Sequence, residues 1–298
     1  DSAFFDKGPK FLHYRPDISI LTGIEFDHVD IFKDLDQIKD AFRKYVDLIR
    51  PEGVILVKYG DTNIQDVLGE AVCRVETYGY LDGADWRIGD YRFEGGYGCF
   101  SLSYQGGKKA DFQLAMIGRH NVENAAAVAA LCIGLGLTVD EINSAFKSFQ
   151  GIKRRQEVVG VTNGVTVLDD FAHHPTAIRS TLEAVKEAYP GQRLWAVFEP
   201  RSATSKRKVF EQDFPDSFLA ADRVVFAGLF APEKIKEEDR LDPERVVGLI
   251  RQKGGNANFI AEVDDIVAFI AENAENGDVV LVMSSGGFGG IHQKILDR

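Results

Sequence analysis

The chain contains few cysteines and no long apolar segment. Its three cysteines, Cys73, Cys99 and Cys132, lie far apart in apolar or glycine-rich surroundings, so neither a disulfide framework nor a metal cage is indicated. No stretch approaches the roughly 20 apolar residues that a membrane span needs, and no signal peptide opens the chain. These absences predict a cytoplasmic protein without a membrane partner.

Basic residues are also scarce. The 298 residues carry 35 lysines and arginines against 46 aspartates and glutamates, a formal net charge of −11. A nucleic-acid-binding protein needs a basic face, so we expect no nucleic-acid partner. Hydrophobic residues make up 45% of the chain, which is ordinary for a globular protein with a sizeable core. Any phosphate must therefore be bound by local basic groups.

Two common nucleotide-binding motifs are absent. The sequence contains no G-x-x-x-x-G-K-[ST] phosphate loop, and no G-x-G-x-x-G follows the first predicted strand of either half. We therefore expect neither self-sufficient ATP binding nor ordinary dinucleotide binding, which disfavours a nicotinamide-dependent oxidoreductase. The chain also begins Asp1-Ser2-Ala3 without an initiator methionine. We expect it to be a piece of a longer protein.

Length and apolar periodicity predict two α/β domains, because single cores stop growing at roughly 250–300 residues. The predicted elements of the first half are a strand at 18–22, a helix through Ile49, a strand at 54–57, a hairpin around Gly95-Gly96, an alanine-rich helix from Asn121 and a helix opened by the capping box Thr138–Glu141. Those of the second half are strands at 165–168, 194–198, 223–226, 258–260 and 279–283 with helices between them. We place the domain boundary at Gly151, which gives domains 1–151 and 152–298, the second with a mostly parallel, doubly wound sheet.

Two polar clusters mark the first half. Asp27-His28-x-Asp30 follows the first strand, and such a group can ligate a divalent cation. The alternative is a helix capped by Asp27 beside a solvated histidine. Asn121 and Asn124 open the alanine-rich helix, and their spacing of three puts both on one face. An asparagine amide matches the edge of adenine, with a helix cap as the alternative.

The clusters of the second half lie at the domain junction and after predicted strands, where doubly wound sheets bind ligands. Arg154-Arg155 can clamp phosphate or form a solvated basic pair. Segment 169–175, Asp-Asp-Phe-Ala-His-His-Pro, offers carboxylates for ribose hydroxyls and imidazoles that titrate or contact phosphate, and here function is favoured. Segments 199–206 and 284–290 offer hydroxyls, a guanidinium and glycines for a carboxylate or phosphate, with structural turns as the alternative.

Taken in order, these clusters resemble the motifs of the Mur ligases, which join amino acids or peptides to UDP-N-acetylmuramate during cell-wall synthesis and recycling. The match spans the whole chain. The motif-like segments are Phe26-Asp27-His28-x-Asp30, Gly118-x-His120-Asn121-x-x-Asn124, Arg154-Arg155-x-Glu157 and Asp169-Asp170-Phe-Ala-His-His-Pro. Three more look most like the members that attach recovered L-alanyl-γ-D-glutamyl-meso-diaminopimelate to this sugar nucleotide: Ala3-Phe4-Phe5-Asp6-Lys7, Glu199-Pro200-Arg201-Ser202-x-Thr204 and Met283-Ser-x-Gly-Gly-Phe-Gly-Gly-Ile-His292-Gln-Lys.

The resemblance implies a partial central ATPase domain at 1–151, without its phosphate loop, and a C-terminal Rossmann-like domain at 152–298, with a UDP-sugar domain before them. It also implies ATP and Mg²⁺ as cofactors, UDP-N-acetylmuramate and the tripeptide as partners, and an acyl phosphate that the amine of the peptide displaces. The implied site residues are His28 for magnesium, Asn121 and Asn124 for adenine, Arg154 and Arg155 for the nucleotide, Asp170 for ribose, His28, Arg155, His173 and His174 for catalysis, and Arg201, Ser202, Ser285, Gly286 and Gly287 for the incoming peptide. Several family members carry a carbamylated lysine where this sequence has Arg43, so no such lysine is assigned.

Two alternatives remain open. A sister ligase adds free L-alanine to the same sugar nucleotide and shares the His-His-Pro signature found here at 173–175. A non-catalytic nucleotide-binding or peptide-binding module also fits, because the phosphate loop is absent. We expect the tripeptide ligase as the activity of the longer protein and no turnover by this chain alone.

Overall fold

The computed structural model describes residues 8–69 and 71–298. The chain divides into two units, Asp1–Phe149 and Gln150–Arg298, and each contains a six-stranded sheet with helices packed on it. This confirms the predicted α/β class. Residues 3–7, which the sequence analysis matched to a family motif, lie outside the described residues. Within the described ranges, no helix is long and apolar enough to cross a membrane.

The first unit combines parallel strands with an antiparallel meander. Its elements are β1 (Ile18–Leu21), α1 (Leu35–Val46), β2 (Val54–Lys58), α2 (Thr62–Leu68), β3 (Arg74–Gly79), β4 (Trp86–Glu94), β5 (Tyr97–Tyr104), β6 (Lys109–Leu114), α3 (Arg119–Gly134) and α4 (Val139–Ser148), after a 3₁₀ turn at Lys10–His13. The strands lie in the order β1-β2-β3-β4-β5-β6, parallel from β1 to β4 and antiparallel from β4 to β6. The carboxyl ends of β1, β2 and β3 therefore share one edge of the sheet.

Small side chains allow α3 to lie close to this sheet. Five of its alanines and Val122 are buried. They share a core cluster with Tyr78 of β3 and with Phe100 and Phe112 of the meander, whose two rings stack with centroids 5.4 Å apart. Burial of these large rings is the main stabilising contribution. The alanine run that predicted a helix is thus also what seats it on the aromatic face.

Helix ends follow the sequence in part. The Thr138–Glu141 capping box is present with both of its bonds, as predicted. By contrast, α1 begins after Asp34, whose carboxylate accepts a backbone N–H three residues on at 2.9 Å. The alternative in which Asp27 caps this helix is therefore wrong. The helix also ends at Val46 rather than continuing through Ile49.

The second unit contains the predicted doubly wound sheet. Its elements are β7 (Glu157–Thr162), β8 (Val165–Asp170), α5 (Pro175–Ala188), β9 (Leu194–Phe198), α6 (Phe214–Ser217), β10 (Arg223–Phe226), α7 (Pro243–Gln252), β11 (Ala257–Phe259), α8 (Val263–Asn273), β12 (Val279–Met283) and α9 (Ile291–Leu296), with 3₁₀ turns at Lys208–Phe210, Pro232–Lys234, Glu237–Asp239 and Phe288–Gly290. The strand order is β11-β10-β9-β12-β8-β7, with β7 antiparallel to β8 and the other pairs parallel. The central strands β9 and β12 are buried along their whole length.

A buried aspartate anchors the amino ends of these central strands. Asp278, 3% exposed, accepts from Arg193 at 2.7 Å, from Nε1 of Trp195 at 2.8 Å and from the backbone N–H of Glu275 at 3.0 Å. Burial alone would raise the pKa of this carboxyl, but the bonds from Arg193 and the other donors hold it below its ordinary value. β9 and β12 are therefore tied together at one edge, and their carboxyl ends meet at the other.

Candidate functional site

Polar side chains gather where β8, β9 and β12 end side by side. β12 lies between the other two strands, and Met283 pairs with Asp170 on one side and with Phe198 on the other. The loops that follow carry three of the clusters singled out from the sequence, within 169–175, 199–206 and 284–290. Sheets of this type bind ligands at the carboxyl ends of their strands. The structure therefore brings the predicted clusters of the second unit to one edge.

Two adjacent arginines behave differently at this edge. The guanidinium of Arg154 donates to the carbonyl oxygens of Ser284 and Gly286, the latter at 2.8 Å, and its Nε lies 3.3 Å from the carboxylate of Asp169. Arg155 is exposed, and its side chain makes no hydrogen bond or ion pair with any residue that the structure describes. Arg154 is used internally, whereas Arg155 is available to a ligand.

Asp170, the predicted ribose ligand, is 1% exposed. Its carboxylate accepts from the backbone N–H of Ala172 at 2.7 Å and from that of Gln156 at 2.9 Å. Burial raises the pKa of this carboxyl, with the two backbone donors and the charge of Arg155 acting in the opposite direction. In this structure Asp170 fixes the loop after β8 to the turn that carries the two arginines.

Asp169 and His292 form a partly buried pair, with side chains 14% and 16% exposed, and this pairing was not predicted from the sequence. Oδ1 of Asp169 lies 3.3 Å from Nε2 of His292, and these two atoms are shielded from solvent without another hydrogen-bond partner in the described part of the chain. A proton on Nε2 would let the imidazole donate to the carboxylate. Since Arg154 approaches the other oxygen of Asp169, three side chains link the end of β8 to α9.

The two histidines of the 169–175 segment have different partners. Nδ1 of His174 accepts from the backbone N–H of Thr176 at 3.3 Å and so caps α5, and its ring meets Phe210 edge to face. Nδ1 of His173 lies 2.9 Å from the carbonyl oxygen of Phe171. A carbonyl can only accept, so Nδ1 of His173 carries the proton and Nε2 is left as an acceptor in the neutral ring. His174 has a structural role, and His173 has the freer imidazole.

Side chains also join the loops after β9 and β12. Ser284, 1% exposed, donates to Glu199 at 2.5 Å, and its Oγ accepts from the backbone N–H of Gly286 at 2.9 Å. Arg201 lies against Gly286 so closely that a Cβ built there would be 1.9 Å from its Nε. The same guanidinium stacks over the ring of Phe230 at 3.5 Å. A residue without a side chain is therefore required at 286 for Arg201 to occupy this position.

Ser202, another predicted substrate residue, is bonded within the loop after β9. Oγ of Ser202 and Oγ of Ser205 are 2.9 Å apart, and Ser205 accepts from the backbone N–H groups of Arg201 and Ser202 at 3.1 and 3.0 Å. The hydroxyl of Ser202 is thus used within the loop. The following residue, Lys206, is 6% exposed. Its burial was not predicted, because nothing in a loop sequence shows that a lysine will be buried.

In the first unit, His28 lies in the loop after β1. Its φ of 55° is uncommon for a residue with a Cβ and is typical of positions held by their surroundings, often at functional sites. The side chain is exposed, and the backbone N–H donates to the carboxylate of Asp27 at 2.7 Å. The loop borders a cavity of about 320 Å³ that Phe11, Ile38 and Phe42 line on its apolar side.

The two asparagines of the first unit lie in the first turns of α3, near the end of β2. Glu123, between them, forms an ion pair with Lys58 of β2 at 2.7 Å. The amide of Asn121 donates to the carbonyl of Ile117 at 2.7 Å and helps to fix the helix start. Asn124 is exposed, and its amide has no hydrogen-bond partner within residues 8–69 and 71–298. Of the two, Asn124 is the one available to a base.

The described chain supplies part of a magnesium shell at most. His28 is one possible ligand, but no group of three or more His, Cys, Asp or Glu side chains in the described residues is arranged to hold a metal ion. Mg²⁺ is bound by a few protein ligands together with phosphate oxygens and water. A single ligand from this chain is compatible with that pattern and does not by itself form a site.

The fold and the edge of the second sheet are those of an α/β class of proteins whose ligand sites lie at the carboxyl ends of parallel strands. The model of the Mur ligase middle domain matches residues 8–132, and that of the Mur ligase, glutamate ligase domain matches residues 154–286. The chain belongs to the Mur ligase family. One matched range lies in each of the two units.

Relatives of two specificities resemble the chain at similar levels. A UDP-N-acetylmuramate–L-alanine ligase of Caldanaerobacter subterraneus subsp. tengcongensis is 35% identical over 289 residues, which cover 97% of this chain and 62% of the relative. A UDP-N-acetylmuramate–L-alanyl-γ-D-glutamyl-meso-2,6-diaminoheptandioate ligase of Haemophilus influenzae is 36% identical over 299 residues, which cover 100% of this chain and 63% of the relative. The chain thus spans less than two thirds of the length of either.

Solved structures of ligases with both specificities also resemble the chain. A murein peptide ligase from Psychrobacter arcticus is 34% identical with a TM-score of 0.69, and the match covers 100% of this chain and 60% of that one. A UDP-N-acetylmuramate–alanine ligase from Thermotoga maritima has a TM-score of 0.76 at 20% identity, over 96% of this chain and 60% of that one. At that identity the second match concerns the fold alone.

Proposed function

We propose that this chain provides the middle and C-terminal parts of an ATP-dependent ligase that attaches L-alanyl-γ-D-glutamyl-meso-diaminopimelate to UDP-N-acetylmuramate, the activity of a murein peptide ligase. Family membership supports the ligase class. The contact between Arg201 and Gly286 is the observation that favours the peptide. The tripeptide carries three carboxylates and free alanine only one, and a guanidinium is the side chain best suited to bind a carboxylate.

The proposed reaction has two steps. A carboxylate oxygen of the muramoyl group attacks the γ-phosphorus of ATP, the bond to the bridging oxygen breaks, and ADP leaves. The alanine amine of the peptide then attacks the carbonyl carbon of the acyl phosphate, and the C–O bond to phosphate breaks. An amide and inorganic phosphate result, and the proton of the amine passes to a base. Such chemistry depends mainly on positioning and on neutralising charge.

Side chains that keep at least one polar group unbonded within the described residues receive the direct roles in this proposal. Asn124 contacts adenine, Arg155 contacts nucleotide phosphate, and His28 contributes one ligand to Mg²⁺. Bound Mg²⁺ would supply charge neutralisation at the phosphates. Nε2 of His173 is our candidate for the base that takes the amine proton, because its Nδ1 is engaged with the carbonyl of Phe171.

The internally bonded motif residues act as positioning residues. Arg154 and Asp170 hold the turn that carries Arg155, and His174 holds the start of α5. The substrates ATP and UDP-N-acetylmuramate imply a cytoplasmic location. Two other functions are alternatives to this proposal. One is the addition of free L-alanine, which the 35% identical relative from Caldanaerobacter supports. The other is ligand binding without turnover.

A phosphate-release assay on the complete gene product distinguishes these possibilities. With ATP, Mg²⁺ and UDP-N-acetylmuramate, we expect release with the tripeptide at a kcat/KM at least about tenfold above that with L-alanine. The Arg201→Met variant should raise the KM for the tripeptide, whereas Arg179→Met, which alters an exposed arginine of α5, should not. A preference for alanine would reject the proposed substrate, and no release with either acceptor would reject the ligase.

A further inference from the structure

A buried lysine without a partner lies beside the proposed peptide site. Lys206 is 6% exposed, yet no acceptor in the described residues lies within hydrogen-bond or ion-pair distance of its Nζ. Nζ keeps some contact with solvent, because it is not one of the fully shielded side-chain atoms that lack a partner in the described residues. A desolvated ammonium without an anion destabilises a fold. An anion supplied from outside would complete this position.

The surroundings of Lys206 are cationic. Burial lowers the pKa of its ammonium, and the charges of Lys234, Arg201 and Arg207 lower it further, while Glu233 raises it. Arg207 is itself 3.7 Å from the exposed Asp239. Nη1 of Arg201 is likewise 3.6 Å from the buried Glu199. Lys206 and these three cations therefore meet three carboxylates, which leaves a small local excess of positive charge in a chain with a net charge of −11. Such an excess attracts anions although the protein as a whole repels them.

An exposed aromatic ring lies beside both Arg201 and Lys206. Cζ of Arg201 is 3.5 Å and Nζ of Lys206 is 6.0 Å from the ring centroid of Phe230. Phe230 is 41% exposed, and its backbone N–H donates to the carbonyl of Pro200 at 3.1 Å, which ties the backbone of this residue to the loop after β9. Two cations beside an open apolar face suit a carboxylate on an aliphatic stem better than a compact inorganic anion.

We propose that Lys206 is a specificity-determining residue that, together with Arg201, binds a carboxylate of the incoming peptide and so favours an acceptor with several carboxylates over free alanine. This inference rests on the proposed function for the identity of the acceptor. The binding site itself rests on the burial of Lys206, its missing partner and its position beside Arg201 and Phe230.

Calorimetry on this chain tests the site directly. The ligands are the tripeptide, L-alanine and inorganic phosphate, and the variants are Lys206→Met, Lys206→Arg and, as the matched control, Lys236→Met, which changes an exposed lysine nearby. We expect Lys206→Met to weaken tripeptide binding about tenfold, the usual contribution of a charge-assisted hydrogen bond. Lys206→Arg should retain most of the affinity, and Lys236→Met should retain all of it.

Thermal unfolding separates binding from folding. Because Lys206→Met removes an unpaired buried charge, its Tm should equal or exceed that of the parent chain; a structural lysine would instead give a lower Tm. The proposal is overturned if Lys206→Met binds the tripeptide as tightly as the parent chain, or if the parent chain binds phosphate but not the tripeptide.

Failure of the ligase assignment would look different. If the complete gene product releases no phosphate with the tripeptide while this chain binds it through Lys206, the ligase fails and the carboxylate site stands. If the gene product ligates the tripeptide and Lys206→Met leaves the KM unchanged, the ligase stands and the site fails.

Discussion

Methionine substitutions at Arg154 and Arg155, made one at a time, test whether adjacent arginines have separate roles. Methionine keeps much of the apolar stem and removes the guanidinium. Arg154 bonds two carbonyls and contacts Asp169, and a hydrogen bond to a charged group contributes about 1.5–3 kcal/mol. The side chains of Arg154 and Asp169 are 30% and 14% exposed, so solvent weakens the ion pair. We therefore expect Arg154→Met to lower the free energy of unfolding by about 3 kcal/mol in total.

Arg155→Met should leave the free energy of unfolding within about 0.5 kcal/mol of the parent value, since its exposed side chain has no hydrogen bond or ion pair to lose and lies 5.8 Å from the ring centroid of Phe171. Urea denaturation measures the free energy of unfolding of both variants. The chain has two tryptophans, one in each unit, so a Trp86→Phe background lets fluorescence report Trp195 in the second unit. In the complete gene product, Arg155→Met should lower kcat. Equal stability of the two variants would refute the structural role of Arg154, and an unchanged kcat would refute the ligand role of Arg155.

Two further predictions concern the same unit. Asp278→Asn should lower the free energy of unfolding by about 2 kcal/mol at pH 7, because Arg193 loses its buried counter-charge and keeps only the exposed Glu275 at 3.1 Å. The pKa of Asp278 is lower in the folded chain than its ordinary value of about 3.9. The stability difference between the two proteins should therefore be complete above that ordinary value and vanish as pH falls through the folded pKa. Urea titrations in acid measure it, and a difference that persists there would contradict the prediction. Gly286→Ala should displace Arg201 and raise the KM for the tripeptide several-fold with little change in Tm. As the control, Gly248→Ala in α7, with nothing within 4 Å of its Cβ, should leave the KM unchanged; equal KM values for the two variants would contradict the clash.

Strands with continuous apolar runs were predictable because burial on both faces leaves a strong sequence signal. β8, β9, β10 and β12 were placed within about two residues of their observed ends. β3, β6 and β7 were not predicted. In β7, Val158, Val159 and Val161 are 54%, 41% and 63% exposed, so hydrophobicity there does not track burial. β3 and β6 each mix charged and apolar side chains, and their pairing depends on neighbours distant in sequence.

The candidate site was predictable as a set of clusters and not as a set of contacts. Polar residues after apolar strands marked the loops correctly, because the ends of parallel strands converge. The partners of Arg154 lie 130 and 132 positions away, at Ser284 and Gly286, and no local pattern encodes such a pairing. The burial of Lys206 was equally invisible, since it results from segments around 230–240 folding over the loop after β9.

Internal bonding separates the predicted residues into two groups with different expected behaviour. Asp170, His174 and Asn121 already bond backbone groups, so their substitution removes stabilising contacts before any ligand is present. Arg155 and Asn124 have no such partners among the described residues, and the folded chain does not need their polar groups. A motif residue whose loss leaves stability unchanged but abolishes activity must act on the ligand, because no internal contact remains to explain the effect. The family motifs of this chain therefore combine two functions, building the edge of the sheet and binding what lies against it, and stability measurements alongside activity tell them apart.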